Sequence, residues 1–279
     1  MTMRVKPTNV WLWFTIPIAI LLAIAAGSGL FVKGLYRDNP YFASQAVGQD
    51  FISLIVVLPT LLVTAFFAGR GAPGAQLIWL GGLVYLVYTY VVAAFDVSFN
   101  ALFLVYVALL GCSLYALIGS LVTVDMAGIQ ACFGGGTPNK VVSIYLGIVA
   151  VLFYVLWLSE IVPALASGRI PQSIQDNGTP TNAIHVLDMA WILPAFGIAA
   201  VSLWHKRALG YTLAGVLLTY EVLLILAVLS MVVFMSLDGQ PVVVPQVIIF
   251  GVLFAVGLGM LIGYLRYLKP SGISRKENL

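Results

Sequence analysis

Glu221 is the residue of this chain whose placement most calls for a chemical reason. It lies about ten residues into the apolar run 209 to 236, roughly 15 Å from its start at the α-helical rise. An ionisable group at that depth is costly to bury, and by default it marks a pathway or a binding site. No Lys or Arg lies at comparable depth in any apolar run, so this carboxyl is expected to hold a proton or to exchange one during function. Tyr220 beside it, with Tyr85, Tyr88 and Tyr90 in the run 75 to 95, supplies hydroxyls at similar depth. The competing role is structural: a protonated Glu221 donating one hydrogen bond to a neighbouring helix.

A second group surrounds the chain's first histidine. Asn182, His185 and Asp188 recur every three residues where the run 186 to 204 begins, a spacing that aligns them on one helical face. An imidazole one turn from a carboxylate is the arrangement that orients a general base or a metal ligand. His185, Asp188, Glu160 and Asp50 are therefore the catalytic candidates, and each starts or ends an apolar run. With one histidine here, a His-rich zinc site is excluded, and no metal is assigned. Capping is the alternative, with Asn182 or Thr181 closing the helix start and Asp188 favouring its early turns. Arg37, in Gly34-Leu35-Tyr36-Arg37-Asp38-Asn39-Pro40, either pins a loop through Asp38, Asp50 or Asp188 or grips an anionic headgroup. Glu221, Tyr220, Tyr88, Arg37, Asn182 and His185 form the ligand-binding set; the cofactor is not legible.

Positioning these groups falls to the bilayer. The 279 residues are 62% hydrophobic and 8% charged, against the roughly 25% charged of soluble domains, and mean hydropathy is +1.07. That excludes a water-soluble globule, and 13 scattered Lys and Arg exclude a nucleic-acid binder. Eight apolar runs can cross about 30 Å of hydrocarbon: 10 to 32, 50 to 69, 75 to 95, 100 to 123, 141 to 159, 186 to 204, 209 to 236 and 245 to 267. None alternates as a barrel strand does, so the fold class is an all-α integral membrane protein of eight transmembrane helices. Trp11, Trp13 and Trp157 read as interface anchors. Gly257, Gly259 and Gly263 read as a close helix contact. Cys112 and Cys132 lack motif spacing and read as packing residues.

Alternate loops carry unequal charge. Arg4, Lys6, Arg70, Lys140, Lys206, Arg207, Arg266, Lys269, Arg275 and Lys276 fall on one side, and Lys33, Arg37 and Arg169 on the other. The ten-to-three split predicts cytoplasmic N- and C-termini in a plasma membrane, with a prokaryotic source the better reading. A signal-peptide reading of the first run is weaker, because that run exceeds the usual 7 to 15 residue core. The acids Asp38, Asp50, Asp96, Glu160, Asp176, Asp188 and Asp238 fall outside.

A shift of 135 residues superimposes Leu58-Pro59 on Leu193-Pro194 and Tyr85 on Tyr220, which suggests a parallel four-plus-four repeat with a cleft between the halves. The halves are residues 1–123 and 141–268, joined by a cytoplasmic loop at 124–140 and followed by a tail at 269–279. Each proline removes a backbone donor and is expected to kink its helix. The stretch Asp188-Met189-Ala190-Trp191-Ile192-Leu193-Pro194, its basic turn and Tyr220-Glu221 resemble a hairpin of the membrane family containing sterol isomerases and sigma-2-type receptors. The resemblance covers about 35 residues with no complete motif, and no role is carried over. The reading that follows is a polytopic protein with an outward-facing polar cleft that binds or transports a small molecule, proton-linked through Glu221. An intramembrane enzyme using His185 on an outer-leaflet lipid or isoprenoid is the alternative, and a structural subunit of a membrane complex the third. The partners are the bilayer and a small-molecule or lipid ligand, with no nucleic acid; the oligomeric state is not legible.

Overall fold

A computed structural model describes residues 9–134 and 136–268. Arg4, Lys6, Lys269, Arg275 and Lys276, on which the charge split partly rests, lie outside the described residues, as does the whole tail 269–279. Among the described residues there is no strand beyond one bridge between Phe133 and Leu268. Eight helices are long and apolar enough to cross a membrane: Val10–Phe31, Pro40–Ala68, Pro73–Phe95, Phe103–Thr123, Asn139–Ser167, Ala183–Trp204, Ala208–Leu237 and Val244–Leu265, the first to eighth spans. The protein is a polytopic helical membrane protein.

Two spans are longer than their apolar runs. The second begins at Pro40, not at 50, because Asn39 Oδ1 caps it by accepting from the Phe42 N–H at 2.9 Å and Pro40 suits the first turn. Ser44, Gln45, Gln49 and Asp50 interrupt the apolar run without interrupting the helix. The fifth span continues past 159 to Ser167, where Gly168 at φ +64° closes it in the left-handed conformation.

The third and seventh spans form the buried centre. The seventh packs on the second, third, sixth and eighth and on the short helix Met126–Cys132 of the connecting loop. Two glycines bring backbones together there: a Cβ on Gly48 would lie 2.5 Å from Met231 Cα, and one on Gly81 would lie 2.6 Å from the Val216 carbonyl oxygen. In the eighth span, Gly259 and Gly263 meet nothing within 4 Å, so of that glycine series only Gly257 makes a close contact within the described residues, where a Cβ would lie 3.0 Å from the Tyr145 hydroxyl.

Both Leu-Pro pairs follow a short π-helical segment, Ser53–Val57 in the second span and Asp188–Ile192 in the sixth. A proline lacks the N–H for an α bond, and its ring crowds the carbonyl four residues back. The wider turn relieves that crowding. Its closing bonds run from the Leu58 N–H to Ser53 O and from the Leu193 N–H to Asp188 O, five residues back. The two segments are offset by 188 − 53 = 135 residues, the shift that aligns the prolines.

Candidate functional site

The loops 32–39, 96–102, 168–182 and 238–243 share one end of the bundle, the acidic end. Beneath them is a cavity of about 260 Å³, reached by the second to eighth spans. Its polar lining is Gln45, Gln49 and Asp50 from the second span, Tyr88 and Thr89 from the third, and Asp188 from the sixth, with Tyr36 from the first loop. Most of the remaining wall is apolar or aromatic, including Phe42, Tyr90, Tyr106, Phe153, Trp157 and Phe250. The cleft is thus less polar than the sequence suggests.

Each carboxylate is held in place. The Tyr36 hydroxyl donates to Asp50 Oδ2 in a short hydrogen bond, and Gly29 of the first span makes room for it: a Cβ there would overlap the Asp50 carboxylate. Burial, and then the neighbouring Asp50, push the Tyr36 phenol well above its ordinary value, so it stays a donor. Asp188 accepts from the Tyr88 hydroxyl at 3.0 Å and from Trp157 Nε1 at 2.8 Å. Gln49 Nε2 donates to the Thr89 hydroxyl at 2.8 Å and to the Tyr85 hydroxyl at 3.0 Å, which also meets the Ser53 hydroxyl at 3.1 Å.

Deeper along the seventh span, a chamber of about 40 Å³ holds Glu221, Tyr220 and the inner side of Asp188. Phe153, Asp188, Leu224 and Ile225 line both this chamber and the larger cavity, so those side chains stand between the two. Glu221 Oε1 accepts a short hydrogen bond from the Tyr145 hydroxyl of the fifth span, while Oε2 is buried with no partner. The Tyr220 hydroxyl is likewise buried, with the Tyr88 hydroxyl as its neighbour but no hydrogen bond of good geometry, its ring edge-on to Tyr88 at 5.6 Å. Gly257 of the eighth span covers the Tyr145–Glu221 pair.

The expected face of Asn182, His185 and Asp188 is divided. Asn182 is the N-cap of the sixth span, its Oδ1 accepting from the Ile184 and His185 N–H groups, and it does not line the cavity. His185 stands behind Trp157, ring centroids 4.6 Å apart, and its buried Nε2 lies 3.9 Å from Glu160 Oε2, too far for a hydrogen bond and without another partner. Glu160 Oε1 accepts from the Ser173 N–H at 2.8 Å. Arg37 is exposed and forms no ion pair with Asp38, Asp50 or Asp188. The remaining loop acids act as staples: Asp38 accepts from the Ser98 N–H and Asp96 from the Ala183 N–H, at 2.8 and 2.9 Å. Burial raises the Asp96 carboxyl above its ordinary value, opposed by that N–H and by His185. No three His, Cys, Asp or Glu side chains among the described residues come close enough to share a metal ion.

At the opposite, basic end a second large cavity of about 440 Å³ is lined by Gln130, Thr137, Asn139, Lys140, Lys206 and Tyr211, among others. Tyr211 and Glu221 stand on the same helix, ten residues apart, with roughly 15 Å of rise between them.

Four contributors escaped sequence reasoning. Gln49 lies just outside the apolar run 50 to 69, and Thr89 and Tyr145 are ordinary membrane-helix residues with no signal in their spacing. Trp157 reads as an interface anchor only if the fifth span ends at 159; the helix runs to Ser167, and Trp157 stands against Asp188. No family model, no curated protein and no solved structure matches this chain.

Proposed function

We propose that the protein binds a small molecule from the outer face of the membrane and carries it inward, with Glu221 as the proton-binding group that governs passage. The observation that supports this best is the pair of cavities divided by Asp188, with the unpartnered Glu221 Oε2 in the deeper one. A buried polar atom without a partner is costly, so a native site that keeps one invites a role for it. The cavity at the basic end, on the same helix, supplies an exit in line with the entrance. The charge split supports an outward-facing acidic end. The enzyme reading has less support, because His185 is turned to Glu160 behind Trp157 and does not line the cavity.

Access to the deeper chamber tests the proposal. In a chain with Cys112→Ala and Cys132→Ser, Ile192→Cys places a thiol in the chamber wall. A small membrane-impermeant thiol reagent applied to intact cells should modify it, at a rate that changes with pH. Adding Glu221→Gln keeps the side chain's size and should flatten that pH dependence without loss of folded protein. Modification only from the cytoplasmic face, or an unchanged pH profile in the Gln variant, would leave Glu221 as structural glue and remove the proton link.

A further inference from the structure

The cavity at the acidic end carries two carboxylates and no base. Among its lining residues there is no Lys, Arg or His. The two nearest in sequence do not line it: Arg37 is exposed, and His185 stands behind Trp157. Asp50 and Asp188 are both buried, and the hydrogen bonds they accept come from neutral donors, the hydroxyls of Tyr36 and Tyr88 and the indole of Trp157. A buried carboxylate is stable when hydrogen-bonded and paired, and here the pairing charge is missing from the protein. Directly behind Asp188, the partition leads to Glu221 Oε2, buried and without a partner, a third acidic group on the same path. The rest of the wall is apolar, and much of it aromatic: Tyr36, Tyr90, Tyr106, Phe153, Trp157 and Phe250 line the same cavity beside aliphatic side chains. Ring faces are electron-rich and attract a cation that has shed its water, above all one whose charge is spread over alkyl groups.

We propose that this cavity selects an organic cation, an amine or quaternary ammonium on a compact apolar body, with Asp50 and Asp188 as its counter-charges and the aromatic wall as its cage. The proposal rests on the small-molecule reading above and names the chemistry of the ligand. A volume of about 260 Å³ lies just under the range that holds drug-sized molecules, so the ligand is smaller than these. Carboxylate anions are rejected by the same two acids, and neutral molecules of the same shape gain the apolar contact alone.

Benzyltrimethylammonium is a suitable probe because its charge is permanent and its size modest. Neopentylbenzene, its carbon isostere, removes the charge and keeps the shape, and phenylacetate reverses the charge. Binding is measured on the full chain in discs of zwitterionic phosphatidylcholine, by equilibrium dialysis of labelled cation with the other two as competitors. The expected result is saturable binding of the cation, at least about tenfold tighter than the isostere, with no competition by phenylacetate. Asp50→Asn and Asp188→Asn should each weaken the cation by about tenfold and leave the isostere unchanged, which also certifies that the variants fold. Equal affinity for cation and isostere, or competition by phenylacetate, overturns charge selection while leaving a small-molecule cavity. Absence of saturable binding by any of the three overturns both the cation proposal and the cavity's role as a binding site.

Discussion

The two proline joints differ in how they treat their hydroxyls. At the first, Ser53 opens the π segment and shares the Tyr85 hydroxyl with Gln49, so every polar group has a partner and the joint is closed. At the second, Asp188 stands where Ser53 stands and Tyr220 where Tyr85 stands, each 135 residues on. There Asp188 turns to Tyr88 and Trp157, the Tyr220 hydroxyl is left without a well-formed hydrogen bond, and a chamber opens toward Glu221. The same backbone device supports a sealed contact in one place and a hollow in the other. What separates them is the side chain at the head of the π segment: a serine is short enough to be satisfied by the nearest tyrosine, whereas a carboxylate reaches past it.

The largest test makes the second joint resemble the first. Asp188→Ser removes the acceptor for two buried donors, the Tyr88 hydroxyl and Trp157 Nε1. It should lower stability by about 2–3 kcal/mol, read as the unfolding free energy in mixed micelles. A loss below about 0.5 kcal/mol would mean that the hollow joint does not depend on the carboxylate. Next in size is a matched pair. Tyr85→Phe leaves the Ser53 hydroxyl unpaired and should cost about 1 kcal/mol, while Tyr220→Phe deletes a hydroxyl with no well-formed hydrogen bond and should cost less than about 0.5 kcal/mol. Equal effects in the same unfolding assay would erase the contrast between the joints.

The smallest effect is expected at Asp96, which ties its loop to the start of the sixth span through the Ala183 N–H. Asparagine keeps that acceptor, so Asp96→Asn should change stability by less than about 0.5 kcal/mol at neutral pH. The pH dependence carries the information. Because the folded carboxyl titrates above its ordinary value, the folded state takes up its proton first, and stability gained below the ordinary value is lost as pH rises through the folded one. The parent should therefore gain on the Asn variant as pH falls from neutral toward about 4, measured by thermal melting across pH. A parent that loses on the variant over that interval would contradict the placement of Asp96.

Much of this was legible in the chain. Eight spans follow from apolar runs, and Leu58-Pro59 and Leu193-Pro194 announced both joints, though not that a π turn would absorb each proline. Glu221 stood out because a single acid in a 30-residue span has no disguise. The site around Asp50 was half hidden, since Ser44, Gln45 and Gln49 lower hydropathy over the stretch where the second span lines the cavity. Hydropathy follows the average of a run, and a helix that faces a cavity departs from that average. The grouping of Arg37, Asn182 and His185 with the ligand set had a different weakness. Closeness in sequence to a span end says that a side chain is near the loops; whether it caps a helix, as Asn182 does, or faces inward, as Asp188 does, depends on neighbours from other spans.

Each π turn also stores one residue more than an α turn of the same height. With 3.6 residues per turn, that surplus swings everything before it by about 100° around the helix axis relative to everything after it. Gln49 and Asp50 precede the surplus residue of the second span, and His185 that of the sixth. In an uninterrupted α-helix whose half beyond the π turn kept its packing, these polar groups would sweep away from the bundle toward the acyl chains. The stored residue thus works as an angular offset: it lets one helix obey two different neighbourhoods, a greasy contact below and a charged enclosure above. A one-residue deletion between 53 and 57 would alter the compass bearing of the acid while leaving the acid itself in the sequence.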